Sequence, residues 1–432
     1  MKRVLILAYF FPPCQLTASQ RSLGWAKCLR KLGWDPVVIT RNWEHPIAGP
    51  DDMHHDSGTE LVIDKNEYYE AHYLPFQGNL RDRLYSNHGK NKHNFLRKAL
   101  SLTELVMYHF SNSVIPYSNI YDYALKLCKT NSDIEAIVVT GNPFEMFRFG
   151  YLLHKKTGIP WIADYRDDWT TSEVNHSRGP ADAILRALEK RSERKWVGTA
   201  KAITSVSPYY VKKISEFTQV KGEVLLNGFF ETDLLPFRKR PLEEAFTIVY
   251  NGMLYPSQQI EVFLEALRKL ADSYPEHRSR IRMRFPGILF LKHVAARVKE
   301  LMKGYEDLLM LSERISRNEV LEIQARAHLL LMVSHKDAIG IPSSKIYEYL
   351  GLEKPVLVCP GDKDILHETF HPYNLGHVAY SADEAFTILE KSFQIYLQGN
   401  YEQLIADHKY TSGFSRESQA EVLANLLNKI SD

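Results

Sequence analysis

The sequence has few cysteines, little net charge and no long hydrophobic run, and each shortage removes a class of protein. Its four cysteines are scattered, with no C-x-x-C pair and no zinc-ligand spacing: Cys14, Cys28, Cys128 and Cys359. This pattern does not build a disulfide scaffold and favours a reducing compartment. The formal charge is +2 over 432 residues. No overall electrostatic field would therefore recruit nucleic acid as a partner.

The apolar runs are also short. No stretch approaches the ~20 apolar residues that a membrane-spanning helix needs. The start resembles a signal peptide, because two basic residues precede an apolar run. That run stops at Pro12 and Pro13, however, and no small-residue cleavage site follows. We therefore predict a buried first strand and a cytoplasmic protein, with the inner face of a membrane as a place for peripheral contact.

Common catalytic signatures are missing. The sequence has no G-x-x-x-x-G-K-[ST], G-x-G-x-x-G, H-E-x-x-H or G-x-S-x-G. Asp362-Lys363-Asp364 has a D-x-D spacing that some enzymes use for a metal, but no third ligand is in sight. The histidines show no ligand spacing, and His54 with His55 is expected to be solvated in a polar loop. We expect neither a metal nor a cofactor.

A repeated alternation of strands and helices is what the sequence does contain. Val4 to Phe10 is a continuous apolar run, as in a parallel strand covered on both faces. Ser19 to Leu32 then has helical spacing, Gly33 closes that helix, and Pro36 to Thr40 is the next strand. The same alternation predicts further strands at 136–140, 160–164, 202–207, 223–226, 246–250, 281–286, 327–333 and 355–359. The fold class is therefore α/β with parallel, doubly wound sheets.

The length suits two domains of ordinary size. Two prolines and a charge cluster near residues 234–245 interrupt the alternation, which restarts at Phe246. We predict an N-terminal domain at 1–235, a linker at 236–245 and a C-terminal domain at 246–412. The segment 413–432 has one apolar face and is predicted to be a closing helix.

The segment 81–117 fits neither half of the alternation. It begins basic, with Lys90, Lys92, Arg97 and Lys98, and becomes apolar and aromatic after Leu100. One interpretation is a solvated helix folded onto the first domain. The other is an amphipathic segment that meets a membrane surface or a lipid-linked acceptor.

The most informative stretch for chemistry is Gly340 to Leu350, GIPSSKIYEYL. A Gly/Pro/Ser loop here opens a helix whose free backbone N–H groups can bind an anion. Lys345 and Glu348 lie three residues apart and share a helix face. A lysine suits a phosphate, and a carboxylate can accept hydrogen bonds from two neighbouring hydroxyls of a ribose. The alternative is an ordinary capped helix with an ion pair between these two side chains.

Three further stretches lie where predicted strands end, which is where open parallel sheets bind ligands. Asn251 and Gly252 could approach a ligand closely, although a simple tight turn is equally consistent. Arg166 and Asp167 belong to a cluster of charges that could also be a structural brace. Arg21 at a helix start opposes the helix dipole, which suggests that an anion or a nearby carboxylate holds it.

Together these segments resemble the GT4 family of retaining glycosyltransferases, which have the GT-B fold, and in particular its bacterial members of surface-polysaccharide clusters. The resemblance covers nearly the whole chain. Its more specific parts are ADYRDDW, similar to the family's D-x-R-D-x-W, and GIPSSKIYEYL, similar to P-S-K-[IL]-[YF]-E-Y-L. YNGMLY resembles the G-x-x-Y loop, and TGNPFEMFRFGYLLHKKTGIPWIADYRDDW resembles the family's strand-to-strand segment.

The resemblance implies two Rossmann-like domains facing a cleft, with the last helix returning to the first domain. It implies that the second domain binds a UDP- or GDP-sugar without a metal. The donor-side residues would be Asn251, Gly252, Tyr255, Ile341, Pro342, Ser343, Ser344, Lys345 and Glu348. Catalysis would rest on Arg166, Asp167 and Lys345. Cations and a helix N-terminus would stabilise the charge on the departing diphosphate. Arg21, Gly141 and Asn142 would lie on the acceptor side, facing a saccharide or lipid-linked saccharide.

Two other functions stay open. The family's E-x7-E motif keeps only Glu348, because Gly340 stands at the position of the first glutamate. A non-catalytic member that binds a saccharide or a partner is therefore one alternative. A nucleotide-sugar 2-epimerase, which would use the same donor pocket with no acceptor, is the other.

Overall fold

The structure is a computed structural model that describes residues 1–44, 53–88, 92–172, 179–336, 339–341, 343–370, 376–400 and 408–431. The chain divides into two compact units. Unit 1 comprises Met1–Leu226 and Arg416–Asp432, and unit 2 comprises Asn227–Ser415. The division lies ahead of the linker predicted at 236–245.

Unit 1 is built on an eight-stranded sheet. Its strands are β1 (Lys2–Ala8), β2 (Trp34–Arg41), β3 (Val62–Lys65), β4 (Glu70–Leu74), β5 (Ile134–Gly141), β6 (Trp161–Tyr165), β7 (Ala202–Ser205) and β8 (Gly222–Val224). Their order is β3-β4-β2-β1-β5-β6-β7-β8, and all neighbours are parallel except β3 with β4. The central strands are buried on both faces, as their continuous apolar sequence predicts. The edge pair β3–β4 was not predicted, because β3 is exposed throughout and carries no run of buried positions.

Helices cover both faces of this sheet. They are α1 (Thr17–Cys28), α2 (Leu80–His88), α3 (Asn94–Met107), α4 (Asn119–Thr130), α5 (Met146–Thr157), α6 (Pro180–Val197) and α7 (Pro208–Thr218). The helix predicted after the first strand is α1, and its last part, Leu29–Leu32, is a 3-10 turn that ends at Gly33 with φ 91°. The segment 81–117 contains most of α2 and all of α3.

Unit 2 has a six-stranded sheet in which every neighbouring pair is parallel. Its strands are β9 (Phe246–Val249), β10 (Ile281–Phe285), β11 (Leu309–Leu311), β12 (Leu329–Met332), β13 (Val356–Val358) and β14 (His377–Val378). Their order is β11-β10-β9-β12-β13-β14. The short strands β11 and β14 escape sequence patterning because two or three residues cannot show a period.

The helices of unit 2 are α8 (Glu231–Arg238), α9 (Ile260–Ser273), α10 (Lys292–Leu301), α11 (Arg317–Ala325), α12 (Lys345–Gly351), α13 (Ile365–Phe370) and α14 (Ala382–Gln398). The final helix, α15 (Arg416–Ser431), belongs to unit 1, where its buried face includes Leu423 and Leu427. α8 overlaps the predicted linker, and Pro236 lies inside it. The predicted linker therefore begins inside α8, whereas residues 239–245, which include Pro241, form neither helix nor strand.

Each sheet reverses its winding direction once. In unit 1, β1 has β2 on one side and β5 on the other. In unit 2, β9 has β10 on one side and β12 on the other. Ligands of open α/β sheets bind outside the carboxyl ends of the strands at such switch points. The loops after β1 and β5, and those after β9 and β12, are therefore where the sites should lie. No helix in the described ranges is both long and apolar enough to cross a membrane.

Candidate functional sites

Lys345 lies at the switch point of unit 2, at the first residue of α12. Its ammonium donates to the Tyr250 hydroxyl at 3.1 Å and to the Met253 carbonyl at 3.4 Å, and it lies 4.4 Å from the centre of the Tyr250 ring. The side chain is half-buried, and burial lowers its pKa to about 8. The loop after β9 therefore holds a cation with neutral oxygen atoms and an aromatic face.

No carboxylate in the described part of unit 2 forms an ion pair with Lys345. The alternative of an ion pair with Glu348 is not realised, because Glu348 instead accepts from Arg317 Nε at 3.3 Å. Arg317 also contacts Asp233 at 3.2 Å. The positive charge of Lys345 is therefore unneutralised, and charges that are removed from water are ordinarily paired.

Gly252 brings the backbone against this lysine. Its φ of 92° lies in the left-handed region, and a Cβ there would stand 2.8 Å from Lys345 Cε. The neighbouring Asn251 N–H donates to the Tyr349 hydroxyl at 3.4 Å. Asn251 and Gly252 also line a cavity of about 220 Å³ whose wall continues through Gly287, Phe290 and Arg314. The loop after β9 thus joins the lysine to an adjoining cavity.

The other predicted donor-side residues are placed less uniformly. Ser344 is exposed and makes no side-chain cap bond, whereas the Ser343 carbonyl accepts from the Ile346 N–H at 3.1 Å. Ile341 is partly buried. Tyr255 is exposed, and its ring lies 5.5 Å from that of His335. Pro342 lies outside the described residues.

α12 is only seven residues long. Its terminus is therefore a weak anion site, and the lysine side chain carries the charge at this place.

In unit 1, Arg166 lies where the loops after β1, β5 and β6 meet. Its guanidinium donates to the carbonyls of Gly141 and Asn142 at 3.3 Å each and lies 5.4 Å from the Phe10 ring centre. It is half-buried, and burial lowers its pKa. Among the described residues no carboxylate forms an ion pair with it. Asp167 beside it is exposed and makes no hydrogen bond within the described chain.

Glu193 on α6 anchors the loop that carries Arg166. This buried carboxyl accepts from the Tyr165 hydroxyl at 2.9 Å and from the Thr170 N–H at 3.2 Å, on either side of Arg166 and Asp167. Burial raises its pKa to about 7. Sequence reasoning missed this residue, because it lies in a helix well downstream of the loop.

The expectation that Arg21 faces the acceptor is wrong. Its guanidinium is bound in a fully buried, bidentate ion pair with Asp164, with contacts of 2.6 and 3.0 Å, and it donates to the Leu226 carbonyl at 3.0 Å. Its side chain is 2% exposed. Of the two partners that the sequence left open, an anion or a carboxylate, the structure supplies the carboxylate. A guanidinium saturated in this way cannot meet a substrate.

A cavity of about 310 Å³ opens beside Arg166 in unit 1, within the usual size range of small-molecule sites. Tyr9, Phe10, Asn142 and Glu145 line it from the loops after β1 and β5. α2 and α3 close its other side with Arg81, Asp82, Ser101, Glu104 and Leu105. Asn142 was predicted on the acceptor side and lies here, whereas Gly141 contributes its carbonyl to Arg166.

This cavity is rich in acids that sequence reasoning missed. Glu145 accepts from the Tyr117 hydroxyl at 3.2 Å, and burial raises its pKa. Burial also raises the pKa of Glu104, despite its 2.7 Å contact with Arg81. His55 is exposed, as expected, whereas His54 is partly buried and its Nδ1 lies 2.8 Å from buried Asp82. Carboxylates of this kind can accept hydrogen bonds from sugar hydroxyls.

The D-x-D residues serve the backbone. Asp362 accepts from the N–H groups of Leu366 and His367 at 3.2 and 3.0 Å, and Asp364 accepts from the Gly340 N–H. Within the described ranges no cluster of three or more His, Cys, Asp or Glu side chains could hold a metal ion.

Comparison with solved structures identifies the fold. The chain is similar to a glycosyltransferase from Rickettsia africae ESF-5, with 14% identity over 99% of this chain and 98% of that one and a TM-score of 0.61. It is also similar to an E. coli trehalose-6-phosphate structure bound with UDP-2-fluoro glucose, with 12% identity over 99% of both chains and a TM-score of 0.63.

A third similar structure is the sucrose-phosphate synthase of Thermosynechococcus elongatus, with 12% identity over 99% of both chains and a TM-score of 0.62. No protein-family model and no curated protein matches the sequence. The chain therefore has the α/β GT-B fold, with two parallel-sheet domains, as predicted from the sequence.

Proposed function

We propose that the protein is a glycosyltransferase that takes a sugar from a nucleotide-diphosphate-sugar of the UDP or GDP type. Unit 2 binds the donor, with Lys345 beside the diphosphate and Glu348 at the ribose hydroxyls. The observation that carries this proposal is the half-buried, unneutralised ammonium of Lys345 at the switch point of the second sheet. The E. coli structure bound with UDP-2-fluoro glucose, which shares the fold, supports a UDP-sugar as the first donor to try.

Lys345 has the properties that a diphosphate site requires. A phosphate oxygen would replace the missing counter-ion and restore a full charge to a lysine whose pKa burial has lowered. In the reaction, charge develops on the departing diphosphate, and a fixed cation at that place stabilises it. We propose that this cation suffices without a metal. We also propose that the transfer retains the anomeric configuration, on the strength of the motif resemblance around Lys345 and Glu348.

On the acceptor side we propose that the acid-lined cavity of unit 1 binds a saccharide. Glu145 and Glu104 would accept hydrogen bonds from its hydroxyls, and Arg166 would lie at the cavity mouth next to Asn142. An acceptor on the pathway to a surface polysaccharide follows from the same motif resemblance.

A thermal-shift panel of UDP, GDP, ADP, CMP and TDP tests the donor site. A ligand at ~100 times its dissociation constant adds about 2.7 kcal/mol of apparent stability. We expect UDP or GDP to raise the unfolding midpoint of the native protein. Lys345→Met should weaken the binding of that nucleotide by at least about tenfold, which is the usual loss for one charge-assisted hydrogen bond.

Lys354→Met is the matched control. Lys354 is also half-buried in unit 2 and also has its pKa lowered by burial, but it precedes β13 and so lies away from the carboxyl ends of the strands. The control should bind the nucleotide as the native protein does. If no nucleotide shifts the midpoint, or if both lysine variants lose binding equally, the donor site does not lie at Lys345.

A further inference from the structure

α3 is an amphipathic helix whose apolar side chains face solvent instead of the core. None of its residues is buried. Large apolar side chains on it and just beyond it are exposed to solvent: Phe95, Leu96, Leu102, Leu105, Met107 and Phe110. Phe95 is 89% exposed and Leu102 is 50% exposed. A surface helix of a water-soluble domain normally turns this kind of face towards the core.

The polar face of α3 is the one that meets unit 1. Arg97, Ser101 and Glu104 recur at intervals of three and four residues and share one side of the helix. Glu104 contacts Arg81 at 2.7 Å and accepts from Asn79 Nδ2 at 2.6 Å. Ser101 and Glu104 also line the acid-rich cavity. Phe95 and Leu102 lie on the opposite side of the helix and are exposed, so this apolar stripe points away from the domain.

The charge around this stripe has one sign. Between Lys92 and Phe110 the basic residues are Lys92, Arg97 and Lys98, and the one acid is Glu104. Glu104 is already paired with Arg81 on the inner side, whereas Lys92 and Lys98 are exposed. An apolar stripe flanked by exposed lysines complements an anionic lipid surface, where the rings and aliphatic chains enter the interface and the ammonium groups stay at the headgroups.

We propose that α3 docks unit 1 onto an anionic lipid bilayer and that the acceptor reaches the 310 Å³ cavity from that surface as a lipid-linked saccharide. One helix does both tasks: its outer stripe enters the interface, and its inner face walls the cavity. The identity of the acceptor rests on the proposed function, whereas the docking itself does not.

Vesicle sedimentation of the full chain, without nucleotide, tests the docking. We expect binding to vesicles of phosphatidylcholine with phosphatidylglycerol, weaker binding to phosphatidylcholine alone, and loss of binding as salt rises. Leu102→Asp and Phe95→Ser should each reduce partitioning by about tenfold or more, because each removes a large side chain from the interface. Lys98→Ala should weaken binding to the anionic vesicles alone.

Ile63→Asp is the matched control. Ile63 lies on the edge strand β3 of the same unit and is 52% exposed, much as Leu102 is, but it belongs to a strand far from α3 in the sequence. The lysine on the same strand, Lys65, is already paired with Glu70. We expect it to bind vesicles as the native protein does. Phe95 is so exposed that its replacement cannot unfold the domain, so a loss in Phe95→Ser reports the interface.

Three results would overturn the proposal. The first is no binding to anionic vesicles, and the second is equal binding by the native protein and Leu102→Asp. The third is a concentration-dependent dimer that Leu102→Asp abolishes, because this would assign the apolar stripe to contact with a second copy of the chain. The nucleotide thermal shift distinguishes a failure of the docking proposal from a failure of the proposed donor site. Leu102→Asp should keep the native shift, so vesicle binding can fail while the donor site stands.

Discussion

Arg21 and Lys345 lie at comparable positions in the two units but differ in whether a carboxylate neutralises their charge. Each lies on the helix that follows a central strand next to a switch point, β1 in unit 1 and β12 in unit 2. Arg21 is closed into a buried pair with Asp164, whereas Lys345 meets only a hydroxyl, a carbonyl and a ring. The first arrangement braces the fold, and the second leaves a charge that a ligand can neutralise. A cation near a strand end is therefore a candidate ligand residue only when the fold has not already supplied its counter-ion.

The two cavities differ in the same way. The 220 Å³ cavity of unit 2 adjoins a loop that holds a lysine and has Arg314 in its wall. The 310 Å³ cavity of unit 1 contains Glu145, Glu104 and Asp82, of which Glu104 and Asp82 contact Arg81 in the same wall. Cationic groups suit a diphosphate, and acids suit the hydroxyls of a neutral sugar. Both properties fit the two substrates of the proposed transfer.

The largest loss of stability is expected from Asp164→Asn, which tests whether the pair of Arg21 and Asp164 stabilises the fold. It leaves the Arg21 guanidinium buried without its counter-ion, which typically costs about 3–5 kcal/mol. Urea unfolding should show this loss, whereas Asp167→Asn at an exposed site should change stability by less than about 0.5 kcal/mol. Lys345→Met, by contrast, should lose no stability at neutral pH, because it removes a charge that burial disfavours. Equal stability of Asp164→Asn and the native protein would mean that the pair is no brace.

The next effect concerns the protonation of Lys345. Its pKa of about 8 in the free protein lies below the ordinary lysine value of 10.5, and a bound diphosphate would raise it again. Nucleotide binding should therefore take up a proton above pH 8, and affinity should fall by up to about tenfold for each pH unit beyond that point. Calorimetry in two buffers of different ionisation enthalpy measures the uptake. Lys345→Met should take up none, and a pH-independent native affinity would contradict the assignment.

Lys345 also makes the free energy of unfolding depend on pH in the alkaline range. Its folded pKa lies below its unfolded value, so the folded state binds fewer protons between about pH 8 and 10.5. The contribution of this lysine to unfolding free energy should therefore become more favourable as the pH rises through that window. The stability difference between the native protein and Lys345→Met should shift accordingly in urea titrations at pH 7.5 and 10.

Gly252→Ala tests the close approach of backbone and lysine. The alanine would adopt a left-handed conformation, at about 1–2 kcal/mol, and its Cβ would displace Lys345. Gly304→Ala is the matched variant, because its φ is 82° and nothing lies within 4 Å of the added Cβ. Both should lose similar stability, whereas only Gly252→Ala should bind nucleotide more weakly, by about tenfold. Equal affinities would separate Gly252 from the site.

The smallest effect is expected from Glu145→Gln in unit 1. Burial raises the folded pKa of Glu145, so the native protein is favoured at low pH and loses that advantage as pH rises through this value. Between pH 4 and pH 8, the free energy of unfolding of Glu145→Gln should therefore rise relative to that of the native protein, by less than about 1 kcal/mol. Glu216→Gln at an exposed position on α7 is the control for the substitution itself. Parallel stability curves for Glu145→Gln and the native protein would contradict the burial.

The sequence alone determined the architecture, because its signals are local. Continuous apolar runs identified β1 and β5, helical spacing identified α1, and Gly33 marked where that helix region ends. The placement of Lys345 and Gly252 after central strands also followed from chain order. Errors arose where a local signal was weak, as at β3 and β4, or misleading, as at Pro236 inside α8.

Only the tertiary structure decided which charges are available. Arg21 and Asp164 are 143 residues apart in sequence, and no local pattern could pair them. Glu193, Glu145 and Glu104 became recognisable only when the packing of α3, α5 and α6 regions around the loops of unit 1 was known. The physical reason is that periodicity and propensity act over a few neighbours along the chain, whereas burial and counter-ions depend on which distant segments the fold brings together.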